Sequence, residues 1–105
     1  MDRMRGREDD RGEPTATRVA QALLGFRHAF LDFATCAIYL STDRRGIPAN
    51  FHSYEGLPDE VVTRRWMTGS VASVKPSLIA GFERNGVFYT RRSAARAAVE
   101  WLVIR

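Results

Sequence analysis

Leu78-Ile79-Ala80-Gly81-Phe82-Glu83-Arg84-Asn85-Gly86-Val87-Phe88-Tyr89-Thr90 is the stretch whose reading decides this fold. Two runs rich in aliphatic and aromatic residues flank Asn85-Gly86, and both of those residues accept positive φ at little cost. That is the signature of a two-residue type I′ turn between antiparallel strands. With Asn85-Gly86 as the loop, Arg84 pairs with Val87, Glu83 with Phe88, and Phe82 with Tyr89. One face of the hairpin then carries Leu78, Ala80, Phe82, Val87 and Tyr89, which reads as core. The other carries Ile79, Gly81, Glu83 and Phe88, with Phe88 set diagonally over the gap at Gly81. Thr90 is a good N-cap for a helix running from Arg91 to about Ile104. Ala94, Ala95, Ala98, Val99, Leu102 and Val103 form its apolar face.

Working back along the chain, Leu57-Pro58-Asp59-Glu60 reads as a helix start, with Pro near the first position and carboxylates at the positive end of the dipole. Val61, Val62 and Trp66 supply its stripe, Arg64 and Arg65 its last turn, and Gly69 its end. Residues 69–77 then read as a connector. Further upstream, Phe26–Asp32 and Cys36–Thr42 form a second hairpin across Phe33-Ala34-Thr35. No diagnostic turn pair sets its register, so whether Phe30 and Tyr39 face inward is open. Asp43–Pro48 is a turn, and residues 49–56 are an irregular loop. Thr15–Gly25 has the spacing of a short helix capped by Thr15 and ended by Gly25, with a strand start at Leu23 as the competing reading.

Residues 1–14 hold four Arg, five Asp/Glu, two Gly and one Pro, with Met as their only apolar type. Such a segment is expected to be a disordered charged tail ahead of a single domain over 15–105. The expected class is α+β in the order (α)ββα–ββα: a four-stranded antiparallel sheet with helices packed on one face. A sheet so covered leaves its other face open.

Composition narrows function mainly by exclusion. The chain has 105 residues, one cysteine and no apolar run long enough to span a bilayer. The charged N-terminus lacks the apolar segment of a secretory signal, and a lone Cys36 makes no internal disulfide, so the expected address is cytoplasmic. Net charge is +4, with residues 1–60 at −2 and residues 61–105 at +6. A basic half suits phosphates or an acidic partner. Since fifteen of the whole chain's sixteen basic residues are Arg, a GC-rich codon preference is the competing explanation for much of the basicity.

Catalytic constellations are missing. There is no phosphate-binding glycine loop, nucleophile elbow or Ser-x-x-Lys pair, and no cofactor or metal motif. Asp59 and Glu60 are accounted for as helix-dipole partners. His28 and His52 gain chemistry only if folding gathers them with Cys36, which at a strand start reads as a small buried hydrophobe. The expectation is a protein without enzymatic activity. Candidate contact residues are Arg84, Arg91, Arg92 and Arg96, with Phe88 and Tyr39 among the aromatics. Arg91 and Arg92 stand where positive charge opposes the helix dipole, and an anion docked there would meet helix N–H groups as well.

Gly81-Phe82-Glu-Arg-Asn85-Gly86-Val-Phe88-Tyr-Thr90-Arg91-Arg-Ser-Ala94-Ala95 resembles a hairpin-to-helix segment of small uncharacterised proteins from bacterial prophages, plasmids and integrated mobile elements. Phe26-Arg27-His28-Ala29 and Gly56-Leu57-Pro58-Asp59-Glu60 are similar to stretches of the same kind of protein. Those proteins usually carry Asp or Glu where this chain has Ser93, and Gly where it has Cys36. The resemblance implies a setting, not an activity: accessory, regulatory and host-inhibiting proteins are common there. Two functions follow as expectations. The first is a protein-interaction module, binding a partner or itself through the open sheet face. The second is a nucleic-acid-binding module, with the C-terminal arginines on phosphates and sheet aromatics on bases. No membrane contact is expected.

Overall fold

The structure, a computed structural model, describes Val19 and residues 21–103, with side chains as far as Trp101. The expected tail over residues 1–14, the expected cap at Thr15 and the side chains of Leu102 and Val103 lie outside the described residues. The first helix is seen where it ends, over residues 21–23. Gly25 has φ +90°, its N–H bonds the Ala22 carbonyl, and the Phe26 N–H reaches back to Gln21. That is a Schellman closure, and it delivers Phe26 directly into the core.

Strand β1 (Arg27–Asp32) follows, then β2 (Ala37–Leu40). A single 3₁₀ turn, Asp59–Val61, precedes β3 (Val62–Arg65) and β4 (Val71–Val74). Last come β5 (Leu78–Arg84), β6 (Val87–Tyr89) and the helix α1 (Arg91–Val103). Four strands form an antiparallel sheet in the order β2-β1-β5-β6, while β3 and β4 pair apart as a two-stranded ribbon. The α+β class and the four-stranded antiparallel sheet stand as expected. The element order does not.

The correction falls on residues 57–77. The helix expected from Leu57 to Gly69 is one 3₁₀ turn followed by a strand, and the expected connector contains β4. Pro58 and the carboxylates start a turn well enough, but Val61, Val62 and Thr63 are β-branched in succession. Such residues lose rotamer freedom in a helix and fit a pleated strand. Gly69, at φ +94°, ends no helix. It takes the left-handed position of a hairpin loop, with Trp66 N–H bonded to Ser70 O and Gly69 N–H to Trp66 O. A type I turn followed by a left-handed residue is the usual three-residue hairpin connection.

The β5–β6 hairpin matches its expected register pair for pair, with Asn85 at φ +53° and Gly86 at φ +84°. The first hairpin pairs Asp32 with Ala37, Leu31 with Ile38, Phe30 with Tyr39 and Ala29 with Leu40. Phe30 and Tyr39 therefore share a face, and it is the covered one. Cys36 is exposed, not buried. It holds the left-handed place in the loop at φ +65°, and side-chain polarity has no part in putting it there.

Strand alternation sorts the sheet into two faces. Phe26, His28, Phe30 and Asp32 look the same way as Ala80 and Phe82, and two apolar clusters cover this side. In one, Phe26 and Phe82 pack against Ala94 and Ala97 of α1, with Leu24, Tyr89 and Trp101 around them. Alanines let the helix sit close, and the Phe26 ring stacks on Trp101 with centroids 5.9 Å apart. In the other, Phe30, Leu57 and Val61 gather Tyr39, Val62, Val74, Leu78 and Ala80, so the ribbon is laid on the same face. The helix thus buries Ala94, Ala97 and Ala98. Val99, expected on the apolar face, is 58% exposed, because the stripe runs 94, 97, 98, 101 and passes it by.

Candidate functional site

The expected contact residues do not converge. Arg84 is spent inside the fold: its Nε donates to the Leu24 carbonyl at 2.7 Å, and its guanidinium lies 4.7 Å from the Trp101 ring centre. Tyr39 belongs to the ribbon-side cluster and donates its hydroxyl to Glu60 at 2.6 Å. That bond to a carboxylate, helped by burial, pushes the phenol up to about 12. Phe88 lies on the opposite face, over Gly81, as expected: a methyl group at Gly81 would run into the Phe88 ring and the Tyr89 carbonyl oxygen. Arg92 and Arg96 are exposed on α1, and Arg91 is half-buried. Thr90 caps that helix as expected, its hydroxyl accepting the Ser93 N–H at 3.0 Å. These six residues are spread over two faces and both clusters.

Folding does bring the two histidines together. The rings of His28 and His52 meet edge-on with centroids 4.8 Å apart, between Phe30 and Phe82. His52 is buried, and its Nε2 lies 2.8 Å from the Gly81 carbonyl oxygen. A carbonyl only accepts, so that nitrogen carries a proton. Cys36 is not part of the group. It follows the far end of β1, whereas His28 is the second residue of that strand, a separation of at least about 13 Å along the strand. Among the described residues no three His, Cys, Asp or Glu side chains are placed to share a metal ion. A cleft of about 240 Å³ beside His28 is lined by apolar groups such as Phe26, Leu40 and Pro48, and His52 does not line it.

A second recess, about 340 Å³, opens where β1 ends. Its buried carboxylate, Asp32, is 1% exposed. Lys75 Nζ and Ser77 Oγ each donate to it at 2.7 Å, and the Ala34 N–H at 3.0 Å. The bond from Lys75, then that from Ser77, outweigh burial and hold this carboxyl at about 2. Tyr39 and Glu60, bonded to each other, complete the rim. Asp32 and Lys75 face the recess as an ion pair, Glu60 accepts the Tyr39 hydroxyl, and Ser77 gives its proton to a carboxylate already tied to a cation. This is the arrangement of a structural clasp and not of an activated nucleophile.

The least explained feature is the tip of the ribbon. Trp66 is 56% exposed and Met67 wholly so. They stand at the turn of a hairpin whose flanks are well tied. Arg65 donates to Asp59 at 2.9 Å and to the Gly69 carbonyl at 2.8 Å. Arg44 donates to Ser70 at 2.6 Å, and the Thr63 and Ser73 hydroxyls are 2.6 Å apart. Arg64 lies in β3 and Trp66 just past its end, and the Arg64 guanidinium lies 5.1 Å from the Trp66 ring centre. The result is a small finger presenting a Trp, a Met and a stacked Arg. Sequence reasoning missed it by placing Trp66 on a helix stripe and Arg64 in a helix's last turn. The signal that would have found it is Val-Val-Thr before, and Val-Ala-Ser-Val after, a Thr-Gly-Ser turn.

No family model, curated protein or solved structure matches this chain. Among the described residues no helix is long and apolar enough to cross a membrane.

Proposed function

We propose that this chain is a non-enzymatic binding module that docks on a protein partner, with the β3–β4 finger as its principal contact. The observation that carries this reading is the pair Trp66–Met67, exposed to solvent on a hairpin whose backbone and arginines are fixed by hydrogen bonds. Large apolar side chains presented outward are open to a partner, and Trp, Met and Arg are the residue types enriched at the centres of protein interfaces. The matching surface is an apolar pocket with carboxylates at its rim, which Arg64 meets as Met67 enters. In the setting implied by the resemblance to mobile-element proteins, the partner is a bacterial protein that an accessory or inhibitory factor has reason to engage.

Nucleic-acid binding is the alternative, and it finds less support. Of its expected phosphate contacts, Arg84 is committed to Leu24 and Trp101. Phe88, its expected stacking residue, lies on the sheet face opposite α1, away from Arg92 and Arg96.

Site-specific photo-crosslinking in cells separates the two. A benzophenone amino acid replaces Met67 in one variant and the exposed Arg92 in a control. The expected result is one discrete protein adduct from position 67, none from position 92, and loss of the adduct when Arg64→Glu is added. Nucleic acid in the adduct, or no adduct from position 67, overturns the proposal.

A further inference from the structure

Asn85-Gly86 is a reactive pair as well as a turn. Asn85, Gly86 and Val87 are exposed at the tip of the β5–β6 hairpin, and Gly86 brings no side chain to shield its own nitrogen. That backbone nitrogen is a nucleophile toward the Asn85 side-chain amide. An N–Cγ bond forms, the Gly86 amide proton passes to solvent hydroxide, and the Cγ–Nδ2 bond breaks. The departing nitrogen takes a proton from water and leaves as ammonia. A five-membered imide remains. Water opens it at either carbonyl, to aspartate or to isoaspartate, in which the main chain runs through Cβ and Cγ. The sum is amide plus water to carboxylate plus ammonium, with no electron transferred and no other reagent.

Two features of the fold oppose the first step. Asn85 stands at φ +53°, and the left-handed region pairs such a φ with ψ of about +30° to +60°. At that ψ the Gly86 nitrogen lies anti to Cβ across the Cα–C bond, out of bonding reach of Cγ. Attack requires rotation about that bond, which takes Asn85 out of the type I′ turn and breaks the Arg84–Val87 pair. The second feature is Glu83. Its Oε2 accepts the Gly86 N–H at 2.8 Å, and its Oε1 is held by Arg27, from Nη2 at 2.8 Å and Nε at 2.9 Å. Burial pushes the Glu83 carboxyl up, but the Gly86 and Arg27 bonds together bring it below its ordinary value, so it stays an ionised acceptor. Gly86 is thereby tied, through Glu83, to the first residue of β1.

We propose that Asn85 is a covalent modification site gated by the fold: it deamidates from the opened β5–β6 hairpin, while the native turn and Glu83 suppress the reaction. The isoaspartate product does not fit the turn that protected its precursor. It adds one carbon to the main chain of a two-residue loop, and the pairs Arg84–Val87, Glu83–Phe88 and Phe82–Tyr89 depend on that loop's length. The Thr90 cap of α1 lies just beyond. The reaction is a one-way mark on chains whose hairpin has opened, and it does not depend on the finger.

The test follows the whole chain in mildly alkaline buffer, native and in guanidinium chloride at the same pH and temperature. Mass spectrometry reads the conversion of amide to acid, and peptide mapping assigns its position. The chain's one other asparagine, Asn50, precedes the bulky Phe51 and serves as internal reference. Asn85 is expected to convert at least about tenfold more slowly in the native chain, since reaction from an opened state is reduced by the fraction open. Glu83→Ala, folded by far-ultraviolet circular dichroism, raises the native rate severalfold and leaves the rate in guanidinium chloride unchanged. Chains carrying isoaspartate at position 85, separated by ion exchange, melt below the unmodified chain. Equal wild-type rates in the two conditions overturn the proposal. So does a folded Glu83→Ala chain whose native rate stays at or below the wild-type value, or a modified chain that melts with the unmodified one.

Discussion

In the four-stranded sheet Ala29, Phe30 and Phe82 are at most 3% exposed, whereas in the β3–β4 ribbon no strand residue is buried. The sheet is held by rows of side chains that exclude water from both clusters beneath it. The ribbon is held at its root by Val62 and Val74 on Phe30, and beyond the root by hydrogen bonds in contact with water. Its pairing also slips between Val62, Arg64 and Arg65, as bulged two-stranded ribbons do. Solvent-exposed bonds contribute little each, so the ribbon opens more readily than the sheet. A docking finger gains from this. The sheet supplies a fixed base while the tip can adjust to a pocket.

The largest effect tests the junction of the two. Phe30→Ala empties the cluster on which the ribbon rests and should cost about 3–5 kcal/mol. Urea unfolding reads the total loss. Hydrogen exchange should show β3 and β4 losing more protection than β5, and equal losses would mean that ribbon and sheet form a single cooperative unit.

A smaller effect concerns the clasp that ties the end of β1 to the chain between β4 and β5. The Asp32 carboxyl falls from an ordinary value near 3.8 to about 2 in the fold, through Lys75 first and then Ser77. A carboxyl depressed on folding stabilises the native state above its unfolded value, and that stabilisation disappears as pH falls through the folded value. Wild-type stability should therefore drop between about pH 4 and pH 2. Asp32→Asn should be less stable at neutral pH and show a shallower acid limb. Parallel limbs in the two proteins would remove the clasp from the account.

The smallest effect compares the two turns directly. Gly69 and Gly86 both have positive φ with nothing within 4 Å of an added methyl, so alanine at either carries backbone strain alone, about 1–2 kcal/mol. Gly86→Ala should lower the global unfolding midpoint. Gly69→Ala should leave that midpoint nearly unchanged and speed exchange only at β3 and β4. Equal global losses would erase the distinction between the two hairpins.

The same contrast explains what could be read from the residues. Asn85-Gly86 names its turn type because the conformation it takes is one that few other pairs accept, and the register, the Phe88 cover and the Thr90 cap all follow locally. Pro58-Asp59-Glu60 names only a turn. Whether the chain then coils or extends was decided by Val61, Val62 and Val74 meeting Phe30, a contact between residues far apart in sequence, so propensity at Val61–Thr63 was the one local hint. The candidate site shared that fate. Arg84 looks free in sequence because its partners, the Leu24 carbonyl and Trp101, come from distant segments. Trp66 looks like core until the strand ends beside it. His28 and His52 meet through a loop whose path no periodicity encodes.

The central pairing of the sheet joins β1 to β5, and Arg27 bonds Glu83 across 56 positions of sequence. Each outer strand, by contrast, is reached through a short local turn. Loop-closure entropy makes the central zipper the slow step, since two ready hairpins have to find each other before either gains a buried face. During synthesis β1 and β2 leave the ribosome long before β5 does. For that interval the row Leu31–Ile38 and the ring of Phe30 have no β5 beside them. A nascent chain in this state is the form in which the protein is most open to chaperones and to self-adhesion, and its yield in cells should depend on how soon β5 follows.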